Sequence, residues 1–401
     1  MYSVKSSKLK DIIEGSDPSQ AYSSPYWQIW IEETGSDPEI ILTGSSVSEV
    51  TIDGQTTTGS EDIEIGAVCS RTAEIKVLSS DTENKTDFLG RKFRICLFAC
   101  DKSYPKATYA DLHSFTYSQL ARLTAEQIKD LGSVIEGELI PLAEMTCVKS
   151  KKTGMTSELT FADRLYFADS EFIWTFGEKA SAAFVEAYIC ARLGMENGNS
   201  YSGGKVLADA DGKILLDSNG KLLISRDSTL RFTVTKPPEG TTMRQMLGYI
   251  ASAQGQFGTI DRFGRYVRKW YGDISGELTD RAIDEPQLSE QDNVITGIIC
   301  KVNDSLTLTK GDTSGNTGRV AELENPYMTA ELMEMLFRRL SAMRWSTAEI
   351  TNRPADPRTD LGDVLSCRGR TVLVTGQTIS FSSGLRSDIR SVGRSAEEIL
   401  I

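Results

Sequence analysis

Short apolar runs with a two-residue alternation recur at both ends of this chain, and they constrain the fold more than any single motif. Alternation turns one side of a strand toward a core and the other toward solvent. Residues 22–78 read mainly as strands: YWQIWI at 26–31, IIL at 40–42, and VTI at 50–52 running into an Asp53-Gly54 turn. Ile63, Ile65, Ile75 and Val77 continue the pattern. Phe93, Ile95 and Leu97 alternate like a half-buried strand, and residues 156–161 form another. Strands return at 372–374, 378–381 and 388–392, with Ser382-Ser383-Gly384 as the turn between the last two.

Helical spacing appears chiefly between these ends. Thr124 to Gln127 forms a capping-box pattern opening a short helix that Gly132 stops. Within 178–193, Phe184, Val185, Tyr188, Ile189 and Leu193 make one apolar stripe before Gly194. A second capping box, Thr242 to Gln245, opens a stripe of Met243, Met246, Leu247, Ile250 and Ala251, ended by Gly255. Residues 257–260 and 266–270, around Arg262-Phe263-Gly264, predict a hairpin. Thr329 begins a further helix, 329–343, with Leu332, Met333, Leu336, Phe337, Leu340 and Met343 on one face. The order is strands, a mixed centre, then one helix and more strands, which predicts an α+β, β-rich fold.

The 401 residues allow two to four domains, at roughly 100–200 residues each. No run of about 18 apolar residues occurs, so no membrane-spanning helix is expected. The first twenty residues lack the apolar stretch of a secretory leader. The charge is uneven. From Asp11 to Ser70 there are twelve acids and no Lys or Arg, and outside this window 44 acids face 44 bases. The whole net charge of −12 therefore sits in the first part of the chain. Without a basic cluster the chain is a poor general binder of DNA. The acidic window fits a solvated face, or a surface that repels a polyanion or meets a basic partner.

Chemistry-bearing motifs are sparse. The seven cysteines have irregular spacing and no CxxC, which speaks for buried thiols in a reducing compartment. Cys96 and Cys100 share a strand face about 13 Å apart, too far to hold one metal ion. His113 is the one histidine, in a context without GxSxG, so HExxH and Cys₂His₂ zinc sites are excluded and a catalytic imidazole is not expected. GNSYSGGKV at 198–206 misses the phosphate-loop spacing and lacks its Ser/Thr. Three Gly-Lys-apolar-Leu units recur every eight residues at Gly204, Gly212 and Gly220; the Asp-Gly and Asn-Gly turns before the last two predict a β-meander over 203–225. A complete calcium loop is absent there. No catalytic residue, cofactor or metal ligand is assigned, and no enzymatic activity is expected.

Five segments in order carry a resemblance: IEIGAVCSRTAEIKVL from Ile63, TSELTFADRLYFADSEFIW from Thr156, TTMRQMLGYIASAQGQFGTIDRFGRYVRKWY from Thr241, ENPYMTAELMEMLFRRLSAMRW from Glu324, and LGDVLSCRGRTVLVTGQTISFSSGLRSDIRSVG from Leu361. Together they cover about a third of the residues and span most of the chain. They resemble the hub proteins of phage tails and contractile injection particles, the baseplate-hub and tail-tip family. The third and fifth segments are the most specific.

The resemblance implies two tube-protein-like β-barrel domains with a mixed α/β centre. The corresponding division is 1–174, an N-terminal tube-like β domain; 175–285, a central α/β domain carrying the 203–225 meander as an insertion; and 286–401, a C-terminal tube-like β domain with one helix. It further implies a homotrimer that adapts a six-fold tail tube to a three-fold spike or tip. Its partners would be the tail tube or distal tail proteins, the spike or tip protein and the tape-measure protein. DNA would pass through without specific binding, and no membrane would be involved. The location implied is the virion, at the tail tip or baseplate, with the bacterial cytoplasm before assembly. On that reading Glu32, Glu33, Asp37, Glu61, Asp62 and Glu64 are candidate lumen-facing or partner-facing acids. Ile399, Leu400 and Ile401 form a candidate docking element, because three large apolar residues at a chain end are an association liability. Many relatives continue into a peptidoglycan hydrolase or adhesin where this sequence stops at Ile401, so lysis is expected to come from another protein. The alternatives are a tail-associated peptidoglycan hydrolase, needing paired carboxylates or a nucleophile near His113, and a receptor-binding tail module acting through the meander.

Overall fold

The computed structural model describes residues 1–5, 10, 13, 26–35, 40–43, 46–59, 62–78, 88–100, 138–199, 205–206, 224–225, 232–278, 283–352, 355–382 and 384–393. His113, Asp37, Glu61, the helix expected after Thr124, most of the 203–225 meander and the 399–401 terminus lie outside the described residues. The meander's base is described, with Lys205–Val206 paired antiparallel to Ile224–Ser225.

Eleven strands form one antiparallel sheet. Seven come from the N-terminal part: β1 (Tyr26–Glu33), β2 (Ile41–Thr43), β3 (Val47–Gln55), β4 (Thr72–Leu78), β5 (Lys92–Cys100), β6 (Glu138–Thr153) and β7 (Thr156–Ala162). Four come from the C-terminal part: β8 (Ile283–Leu288), β9 (Ala348–Asn352), β10 (Gly376–Phe381) and β11 (Leu385–Ser391). The order is β8-β9-β11-β10-β3-β4-β7-β6-β5-β1-β2. The two ends of the chain therefore share a sheet. They meet where β3 pairs with β10, with Ile52 opposite Ile379 and Val50 opposite Phe381.

The alternation seen in the sequence sets the faces. Ile52, Ile75, Leu159, Phe161, Met145, Phe93, Ile95, Leu97, Ile29 and Ile31 all turn to one side and are buried there. Phe93 meets Phe161 edge to face at 5.5 Å, the geometry that the ring quadrupoles favour. Two expectations are corrected. Asp53-Gly54 is not a turn but lies inside β3. Gly54 faces inward, where a Cβ would come to 3.0 Å from Arg71 and Leu361, so the glycine serves a close approach. Ile63 and Ile65 are not in a strand; their segment is irregular, and Ile65 is buried in a separate core with Trp270 and Leu336.

The central unit holds α1 (Ala182–Leu193), α2 (Met243–Ser252) and the expected hairpin, Phe257–Ile260 with Arg265–Lys269. Ser181 caps α1, and Gly194 ends it at φ 67°. The stripe predicted on α1 is corrected at two places. Phe184 is exposed, lying against Phe176 with ring centroids 5.5 Å apart, whereas Glu186 is fully buried. The capping box of α2 forms as its sequence predicts: Thr242 Oγ1 accepts from Gln245 N at 3.1 Å, and Gln245 Oε1 accepts from Thr242 N at 2.9 Å. Val185, Ile189, Leu247, Ile250 and Tyr266 join these elements in one core.

A smaller sheet of Asn293–Asn303, Leu306–Gly311 and Arg319–Glu324 carries α3 (Ala330–Leu340), which Thr329 caps. Leu332, Met333, Leu336 and Leu340 face inward against Ile295, Ile298 and Trp345, as the helix stripe requires. The whole is the β-rich α+β fold that the strand and helix patterns predict.

Candidate assembly surface

Around the join between the chain's two ends, the large sheet has one apolar and one polar side. Asp53, Gln55, Thr351, Thr378, Asp388 and Arg390 line an open concavity of about 620 Å³ at that join. Thr378 Oγ1 donates to Asp53 Oδ1 at 2.7 Å, and Arg390 Nη2 donates to Gln55 Oε1 at 3.3 Å, so side chains as well as backbone tie β10 and β11 to β3. Arg386 pairs with Asp388 at 2.8 Å. Among the described residues, the surface at this join interleaves both signs of charge.

Beneath the join a buried ionic cluster locks three parts of the chain together. Asp360, in the loop after β9, is met by Arg71 at the start of β4, by Arg262 of the hairpin turn at 3.5 Å and by Lys269 at 3.5 Å. Arg262 also donates to the carbonyls of Pro357, Thr359 and Pro141. The Met1 ammonium reaches Asp363 at 2.7 Å, and Asp363 Oδ2 accepts from Asp360 N at 2.9 Å. Burial pushes the Asp360 carboxyl up, but Arg71, Lys269 and Arg262 outweigh it and hold the carboxyl well below the usual range. Burial draws Arg262 down, against the opposing pull of Asp360.

Asp163 is a second buried carboxyl at this junction. Its two oxygens accept the backbone N–H groups of Arg71 and Leu165, at 2.7 and 2.9 Å. Burial pushes it up to about 7, against those two bonds and the Arg71 charge. In the central unit Glu186, fully buried, meets Arg268 at 3.0 Å, and Arg268 also donates to Gln254 and to Gln256 at 2.9 Å. These groups pin α1 to the hairpin and have structural partners on the sides described.

The structure places four of the six candidate acids, and each has a partner. Glu33 pairs with Arg91 at 3.1 Å and Glu32 with Arg94 at 3.7 Å. Asp62 pairs with Arg319 of the smaller sheet. Glu64 accepts from the backbone N and the hydroxyl of Thr58, both at 2.7 Å. The acidic window is thus neutralised in part by bases that lie far away in sequence. Two features had no weight in the sequence reading. One is an aromatic cluster of Phe172, Trp174, Phe176, Phe184 and Tyr188, with Ile173 exposed beside it. The other is a row of lysines on the outer half of β6. Local periodicity carries no signal for either, since both depend on which chain edge stays uncovered.

Among the described residues no group of three or more His, Cys, Asp or Glu side chains could hold a metal ion. Six of the cysteines are free and buried. Burial pushes Cys69, Cys96 and Cys190 up to about 12 and Cys300 to about 11, which keeps these thiols protonated and poor nucleophiles.

No protein-family model matches the chain, and no curated protein matches it. Solved structures do. A 43 kDa tail protein of prophage MuSo2 from Shewanella oneidensis is similar over 92% of this chain and 98% of its own, at 13% identity and a TM-score of 0.48. A tail protein from Neisseria meningitidis is similar over 92% and 96%, at 11% identity and a TM-score of 0.49. An Escherichia coli component of the type VI secretion system is similar over 88% and 74%, at 10% identity and a TM-score of 0.36. These neighbours are of the tail and injection-particle class that the five sequence segments resemble.

Proposed function

We propose that this chain is a structural hub of a phage tail or related injection particle. Three copies close into a ring that joins the six-fold tail tube to a three-fold spike or tip. The observation that carries this reading is the β3–β10 pairing, which makes the two ends of one chain a single sheet. A ring wall needs such a sheet, because an interrupted one would leave open edges in the channel. Eleven strands spaced about 4.8 Å apart span about 48 Å, so three copies side by side would line a circumference of about 145–160 Å. That is wide enough for a nucleic-acid duplex. The mixed charge of the polar side supports passage of DNA without specific binding, and the tail tube, tip and tape-measure proteins are the partners this geometry suits.

Sedimentation of the purified chain and electron cryomicroscopy of the assembled particle test the proposal. Three copies around a central channel, with both ends of each chain in the channel wall, are expected. A single copy per particle, or a channel lined by other proteins, would overturn it.

A further inference from the structure

Two open strand edges of opposite charge stand on this molecule. The first is the outer half of β6. Its partner β5 reaches only to Thr146, with Gly90 and Arg91 closing the end at Cys147. Beyond that point, among the described residues, 149–153 pair on one side only, with β7. They are exposed throughout, and Lys149, Lys151 and Lys152 stand on them. The arm ends at Gly154, φ 63°, beside Met155, which is 74% exposed. Glu158 lies 3.9 Å from Lys151, with both side chains half exposed or more.

The second edge is Arg319–Glu324. Its inner side pairs in parallel with Asn293–Asn303, and among the described residues no strand takes its outer side. An open trough of about 860 Å³ lies over this strand and its partner, lined also by Ile299 and Lys301, the 58–68 segment and α2. Ile63 and Leu323 give the trough apolar surface, and Asp62, Glu64, Glu322 and Glu324 give it acid. Two bases also line it: Arg244 pairs with Asp169 at 2.6 Å, and Lys301 with Asp304 at 3.1 Å and with Glu324 at 3.9 Å. Asp62 meets Arg319 and Glu64 meets Thr58, so Glu322 and Glu324 are the acids exposed to a partner.

We propose that these edges bind one another between copies of this chain, the β6 arm of one copy adding as a strand along Arg319–Glu324 of the next. The inference rests on the ring reading above and supplies the contact that would close the ring. Lysines on an open edge normally discourage strand pairing. Here an acidic edge of matching length turns that protection into selectivity for an oppositely charged strand. Two β6 arms paired antiparallel about their centre would set Lys151 against Lys151, an unfavourable cross-strand pair. Arm to trough sets lysines against glutamates and joins two different surfaces, so the contact is head to tail, the kind that generates closed rings. Main-chain hydrogen bonds supply the affinity, and the alternating side chains supply the specificity.

Charge reversal on the full-length chain tests this, read by sedimentation at low and at high salt. Lys149→Glu with Lys151→Glu, and separately Glu322→Lys with Glu324→Lys, should each weaken self-association by more than about tenfold at low salt. The chain carrying all four changes should recover it. These side chains are exposed and the ion pairs they lose, with Glu158 and with Lys301, are long at 3.9 Å, so every variant should unfold within a few degrees of the native chain. If the native chain assembles and both reversals assemble equally well, this contact is overturned while the ring stands. If the native chain stays a single copy at all concentrations, the ring reading falls and the contact with it. If removal of residues 394–401 alone abolishes assembly and the reversals are harmless, the terminus occupies the trough and the β6 arm does not.

Discussion

Single side chains at the junction give the molecule two opposed responses to pH. Asp360 is held well below the usual carboxylate range when folded, whereas unfolded it titrates near about 3.9. Its contribution is therefore complete above about pH 4 and is lost as the pH falls further. Asp360→Asn would leave Arg71 and Arg262 buried with an uncompensated charge. It should cost about 3–5 kcal/mol at neutral pH and shallow the acid limb of stability, as urea unfolding between pH 2 and 7 would record. Asp163 works the other way. Its carboxyl is pushed up to about 7, so between about pH 4 and 7 the folded chain keeps a proton that the unfolded chain has released, and stability declines as the pH rises. Asp163→Asn should flatten the profile in that window. If the native and Asn chains share one slope there, Asp163 is not the titrating group.

Elements whose signals are local were legible in the sequence. The Thr242–Gln245 capping box, the Gly255 stop and the hairpin that follows each depend on residues within a few positions of one another, and each forms where its pattern puts it. What failed depends on distant partners. Asp53-Gly54 has the chemistry of a turn, yet β10, more than three hundred residues away, recruits it into a strand. Glu186 breaks the apolar stripe of α1 because Arg268 and Asn199 meet it inside the core. The partners of Glu32 and Asp62, and the open edges of β6 and Arg319–Glu324, were invisible for the same reason. Gly54→Ala tests the recruited position. Its Cβ would press on Arg71, which Asp360 holds in place, and the change should cost about 1–3 kcal/mol in chemical unfolding. A neutral result would mean that Leu361 and Arg71 yield freely.

At the scale of the molecule, charge placement and topology matter more than any one contact. Reversing Glu32 and Asp62 to Lys would remove one acidic partner from each of Arg94 and Arg319, which keep Glu144 and Asn293, and add two further cations. Salt-sensitive DNA binding should appear, steep between 50 and 200 mM salt, in a filter or mobility assay. Binding no tighter than that of the native chain would show that the acids serve another purpose. The β3–β10 seam has a consequence for biosynthesis. Val50 leaves the ribosome 331 residues before its cross-strand neighbour Phe381. At about 5–20 residues per second, β3 waits roughly 15–65 seconds with one side unpaired. For that interval the nascent chain presents a bare edge that any other strand could capture. A product stopped at residue 375 should be recovered as aggregate or bound to chaperones rather than as soluble protein, while the complete chain should refold slowly, as its distant pairings demand. Maturation of this molecule is thus gated by its last strands. A host making many copies at once needs either low translation density or a holdase to keep unfinished chains from finding one another before they find their own ends.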